Sequence, residues 1–206
     1  MNLEIMEFVE KQILPRYKDF GLSHGIRHVQ SVIKESLVLA RQLGADEDMA
    51  YVIAAYHDLG LSGPRAIHHI TSGKILLADA RLRKWFSPEQ LRIMKEAVED
   101  HRASSSRQPR SLYGKIVAEA DRELEMETVF TRTIQFGMEH YPEMDDNGHW
   151  ERFRQHMMEK YSEHGYIKLW IPNSPNSLRL KEIRKVVADE AELKRQFDRL
   201  FAKLKV

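Results

Sequence analysis

The stretch Tyr51–Gly63, YVIAAYHDLGLSG, decides how the rest of the chain is read. Residues 51–56 are apolar or aromatic without a polar break. A helix that is apolar all round belongs inside a protein, not on its surface. The glycines at 60 and 63 then stop it. Between the buried run and the glycines stand His57 and Asp58. An imidazole and a carboxylate are costly to bury unless something pairs with them. They are either a hydrogen-bonded pair at a helix end or two ligands facing a cleft.

Outward from this stretch, helical periodicity dominates. Residues 3–13 predict a short amphipathic helix closed before Pro15. Residues 26–43 carry Val29, Val32, Ile33, Leu37, Ala40 and Leu43 on one face and stop at Gly44. The acidic residues of 45–48 suit the start of the helix that ends at His57–Asp58. Residues 68–86 read as one helix. Ser87 and Pro88 read as the cap and first residue of the next, with a stripe of Leu91, Met94 and Val98. A Ser/Arg/Pro-rich loop follows at 103–110, then a helix over 111–124. Residues 149–164 and the charged tail from Leu178 are helical, and 165–177 is irregular with room for a short strand. The aromatics Phe130, Phe136, Trp150 and Trp170 are expected to pack helices together. The fold class is all-α, a single domain over 1–206.

The 206 residues are 42% hydrophobic and 31% charged, enough for a sizeable core. A formal net charge of +1 argues against general nucleic-acid binding, which needs a concentrated basic surplus. No cysteine is present, so disulfides, thiolate metal sites and a cysteine nucleophile are excluded. The acidic, amphipathic start is no signal peptide, and no apolar run approaches the roughly 20 residues of a membrane span. The expected location is cytoplasmic. Alternating charges in the tail fit a solvated helix or one that packs in a homodimer.

The 10 histidines are the unusual count, and several fall inside apolar patterns. His24 and His28 are four apart at a helix start, with His28 on the side of Val32. His69 falls on a stripe with Gly73 and Leu76, while His68 lies nearer a polar face. His101 extends the stripe of Leu91, Met94 and Val98. Asp121 follows Val117 by one turn in an otherwise apolar helix. A divalent cation would pair with all of these buried groups at once, since His nitrogen and Asp oxygen are suitable donors.

The series His28, then His57-Asp58, then Asp121 resembles the His…His-Asp…Asp pattern of the HD superfamily of metal-dependent phosphohydrolases. The likeness spans roughly residues 20–125, which would be the HD core of a helical bundle, with 126–206 as additional C-terminal helices. It implies that His28, His57, Asp58 and Asp121 hold one ion. His69 and His101 stand where some members add ligands for a second ion, with Asp58 bridging, or they serve around the first. The ion could be Mn, Co, Fe, Ni, Zn or Mg, one or two per chain. The implied chemistry is attack of an ion-activated water on phosphorus, with Asp58 as its catalytic carboxylate. Arg65, Lys115, Arg122 and His24 are candidate contacts for the substrate phosphate, and Arg102 a further one. The Gly-Tyr-Pro element of cyclic-dinucleotide phosphodiesterases is absent, as is the lysine some members carry three residues after the pair.

Three functions follow in order of preference. The first is hydrolysis of a phosphate ester or pyrophosphate bond in a small phosphorylated metabolite, with nucleotides favoured by the resemblance. The second is a mixed-valent di-iron oxygenase using the six-ligand set. The third is a non-catalytic nucleotide-binding or regulatory module, which the filled ligand positions disfavour.

Overall fold

The computed structural model describes all residues except 104, 106 and 206, and the side chains of 22 and 23 are also outside the description. Two of the loop residues expected at 103–110 and the last residue of the tail therefore lie outside the described residues. The described residues form helices and connecting turns, with no strand among them. They divide into two compact units, residues 1–122 with 169–171, and residues 123–168 with 172–206. Among the described residues no helix is long and apolar enough to cross a membrane.

The first unit contains α1 (Leu3–Phe8), α2 (Gly21–His24), α3 (Ile26–Leu43), α4 (Glu47–Tyr56), α5 (His68–Ala78), α6 (Pro88–Asp100) and α7 (Leu112–Ala120). At its centre is α4, whose residues 49–56 are all buried. That is the fate expected of an all-round apolar helix. Asp46 caps its start by accepting from the amides of Asp48 and Met49. Around it pack α3, α6 and α7, and their inward residues Val29, Val32, Met94, Val98 and Val117 share one core with Val52, Ile53 and Tyr56. Gly44 ends α3 in the left-handed conformation, at φ 64°, which a residue with a Cβ rarely adopts.

Three local expectations are corrected. The N-terminal helix is α-helical only to Phe8; Val9–Ile13 widens into a π turn and Leu14–Asp19 is 3₁₀. Residues 68–86 are not one helix. Asp79 ends α5, accepts from the Arg81 amide and opens a 3₁₀ turn at Ala80–Lys84. Asp79 also accepts the Tyr56 hydroxyl at 2.7 Å, so a carboxylate held from two sides breaks the helix there. Finally, residues 169–171 form no strand. The amides of Trp170 and Ile171 donate instead to the buried Glu119 carboxylate, at 3.2 and 3.0 Å. That carboxylate supplies the acceptors a strand ladder would have supplied.

The second unit holds α8 (Met126–His140), α9 (Asp146–Tyr161), α10 (Pro175–Ala188) and α11 (Glu190–Leu204). Asp189 separates α10 from α11 and caps the latter. Phe130, Trp150, Phe153 and Phe197 interlock in its core with ring centroids 5.3–6.2 Å apart. Phe136 does not join them. It is exposed, stacked on His140 and covered by Arg152.

Candidate metal centre

The polar residues singled out in the sequence sit at helix ends of the first unit. His28 lies in the opening turn of α3 and His68 is the first residue of α5. His57, His101 and Asp121 directly follow α4, α6 and α7. Three helix C-termini thus converge on one place. Each carries unsatisfied carbonyls and partial negative charge, which favour a cation.

Besides the set His24, His28 and Asp58, two groups of donor atoms meet there. In the first, His28 Nε2 is 3.3 Å from His57 Nε2 and 3.1 Å from Asp121 Oδ1, and His57 Nε2 is 3.6 Å from that oxygen. Asp58 Oδ2 completes it, 3.3 Å from His57 Nε2 and 3.6 Å from His28 Nε2. In the second, His68 Nε2 and His101 Nε2 are 3.1 Å apart and each lies 3.5 Å from Asp58 Oδ1. Asp58 is shared, one oxygen facing each group. His57, Asp58 and His101 are buried at the bottom, while His28, His68 and Asp121 keep partial exposure.

The donor chemistry fits cations. His57 Nδ1 donates to Ala54 O at 2.7 Å, His101 Nδ1 to Val98 O at 2.6 Å and His68 Nδ1 to Arg65 O at 2.8 Å. A carbonyl only accepts, so in each ring Nδ1 carries the hydrogen and Nε2 is left to point inward. In the neutral His68–His101 pair two nitrogen lone pairs then face each other at 3.1 Å. Only a proton or a cation makes that favourable. Nitrogen ligands about 2.1 Å from a common ion are roughly 3.0–3.4 Å apart, matching both imidazole pairs.

Charge in the cluster follows from the same contacts. Burial opposes a charge on His57, but Asp58 and Asp121 outweigh it and hold its pKa well above the ordinary value. Burial would likewise raise Asp58 and Asp121; the imidazoles around them prevail and hold both below the usual carboxylate range. His68 is pushed down by burial, which favours its neutral, ligating form.

The other candidates divide. His24 Nδ1 is 2.8 Å from Asp58 Oδ2, and its Nε2 is 3.2 Å from the exposed Arg65 guanidinium. Arg65 and His24 therefore stand together at the rim. Arg102 is half-buried and donates to Ala66 O at 2.8 Å. Arg122 is buried instead, donating to His101 O at 3.0 Å and lying 3.5 Å from Asp121 Oδ2. It braces two of the donors rather than facing solvent. Among the described residues the Lys115 side chain makes no hydrogen bond or ion pair with the cluster.

His69 is not brought to the cluster; His68 takes that place. The face carrying His69 and Gly73 packs on α6, where a Cβ on Gly73 would lie 2.8 Å from Glu99 Cγ. The edge carrying His68 and Ser72 borders the turn after Asp58, where the Gly60 amide donates to Ser72 Oγ at 2.8 Å. Periodicity finds a buried face but not which neighbour each side of it meets. His69 Nδ1 is buried without a hydrogen-bond partner among the described residues.

An all-α unit with histidines and aspartates gathered at helix ends defines the class, a helical protein with side-chain groups that could hold a metal ion. Residues 25–126 match the family model of the HD domain, and over that span the chain is an HD-domain protein. It is similar in structure to a predicted HD superfamily hydrolase from an uncultured Thermotogales bacterium, with 21% identity and a TM-score of 0.49, over 74% of this chain and 82% of that one. No curated protein matches the chain.

Proposed function

We propose that this protein is a metal-dependent phosphohydrolase acting on small phosphorylated metabolites, nucleotides first among them. The observation that carries the reading is Asp58, whose two oxygens face two different sets of imidazoles. His28, His57, Asp58 and Asp121 would hold one divalent ion. Asp58, His68 and His101 would hold a second. Such ions, when bound, supply Lewis acidity toward phosphoryl oxygens and make water a usable nucleophile near neutral pH. The chain's own residues do the rest. Arg65 and His24, at the rim, would receive and orient a phosphate, for which a guanidinium fork is well suited. Arg122 keeps His101 and Asp121 in register from behind. The preference for nucleotides rests on the resemblance to small HD proteins.

The test is elemental analysis of the purified protein together with phosphate and pyrophosphate release from a nucleotide panel, with Mn, Co or Mg added. Bound metal with release supports the reading. Two irons with oxygen uptake and no release would replace it with the oxygenase, and neither metal nor turnover would leave a binding module.

Ion binding should also be acid-sensitive, with a definite sign. In the ion-free protein the Asp58 and Asp121 carboxylates raise the His57 pKa, which favours its protonated form. An ion must displace that proton. The apparent affinity should therefore rise about tenfold per pH unit while His57 is protonated, and flatten above its raised pKa. Calorimetric titration in buffers of different ionisation enthalpy measures the protons released; release of none at neutral pH would contradict this account.

A further inference from the structure

The side chain of Tyr17 comes from outside the ligand pattern. It lies on the 3₁₀ turn Leu14–Asp19 and is completely buried. Its hydroxyl donates to Ala55 O at 2.9 Å and accepts the Asp58 amide at 3.3 Å. The two bonded groups lie on either side of the His57 backbone. The Ala55 carbonyl belongs to the last turn of α4, where a helix leaves its carbonyls without partners, and the Asp58 amide lies just beyond it. His57 itself covers the next carbonyl back, that of Ala54. The ligand pair thus sits in a backbone turn tied at two points, once by its own imidazole and once by a phenol from another segment. Burial raises the phenol's pKa, so it stays a neutral hydroxyl that can both donate and accept.

We infer that Tyr17 is a positioning residue that sets the His57–Asp58 turn in its ligating shape before an ion arrives. The inference rests on the metal-centre reading above. Without the hydroxyl, the Ala55 carbonyl and the Asp58 amide are buried and lose their shared partner. The turn can then relax, and part of the binding free energy is spent on restoring it. Partners one bond removed from the ligands typically change metal affinity by about 10–100-fold when lost.

The test compares Tyr17→Phe with Tyr56→Phe. Tyr56 is equally buried, but its hydroxyl bonds to Asp79, away from the ligand turn. Both variants should keep their helical signal and lose some thermal stability. Only Tyr17→Phe should weaken Mn or Co binding, by about tenfold or more, in competition with a chromophoric chelator. Tyr56→Phe should stay within about twofold of the parent. Equal affinity in Tyr17→Phe and the parent, or equal losses in both variants, would overturn the inference. Hydrogen exchange on the unmodified protein gives a second reading that needs no variant. The Asp58 amide should be protected without metal as well as with it; exchange at an open-loop rate until metal is added would also overturn the inference. A parent protein that binds no ion at all would instead refute the metal-centre reading.

Discussion

Asp58→Ala is expected to abolish metal retention and to lower hydrolysis by at least about a thousandfold. The magnitude follows from the electrostatic role of the ions, worth several kcal/mol at the transition state, where each ~1.4 kcal/mol is a factor of ten. Asp58 is the one residue found in both donor groups. Removing it takes an oxygen from each and leaves imidazoles facing one another with less negative charge between them. The fold should survive, because α4 is held by apolar packing around Val52, Ile53 and Tyr56. Asp58→Asn refines the test. It keeps the shape and a neutral oxygen, so it should retain some metal and fall between the parent and the alanine variant. Metal content by mass spectrometry, initial rates and far-ultraviolet circular dichroism are read together. Full activity in Asp58→Ala with an intact helical signal would sink the metal-centre proposal.

Much of this candidate centre was legible in the sequence because its members interrupt apolar patterns. His57 and Asp58 directly follow a run that had to be buried, and Asp121 ends another. Such interruptions expose themselves by their desolvation cost. What could not be read was direction. His68 and His69 are consecutive, and the hydrophobic stripe favoured His69. Near a helix start, however, the preceding turn also steers the side chain. Here the Arg65 carbonyl fixes His68 Nδ1 and aims its other nitrogen inward. Arg122 follows Asp121 in sequence but is turned into the protein by the His101 carbonyl. Tyr17 left only a weak signal, that a tyrosine buried whole must find a hydrogen-bond partner.

The helix ends explain why so few residues suffice. A C-terminal carbonyl needs a donor, and an imidazole Nδ1–H supplies one while fixing the ring. His57 and His101 both do this three residues back along their own helices. Helix termination and ligand orientation are then one interaction. Local chemistry shapes each candidate ligand, and α3, α4, α5, α6 and α7 only have to bring the ends together.

Gly60→Ala should separate the two donor groups. A Cβ at position 60 would lie 2.1 Å from His68 O and 2.7 Å from Ser72 N, both backbone atoms that cannot swing aside singly. The first turn of α5 must move instead, at a cost of about 1–3 kcal/mol. His68 is the first residue of that turn, and a displacement of about 1 Å would break its spacing to His101 and Asp58, a misplacement that can cost about a hundredfold in rate. His28 lies in α3, and His57 and Asp121 directly follow α4 and α7, so they do not depend on this contact. The expected result is a fall from about two ions to about one, with a rate loss of about a hundredfold and a lower urea midpoint. His68→Ala provides the matched comparison, since it removes the donor without forcing the helix. If both variants lose the same ion and the same rate, the steric and chemical routes agree that His68 holds a second ion. If both keep the parent's ion content and rate, the His28–His57–Asp121 group with Asp58 is sufficient for hydrolysis, and the pair His68–His101 serves some other purpose.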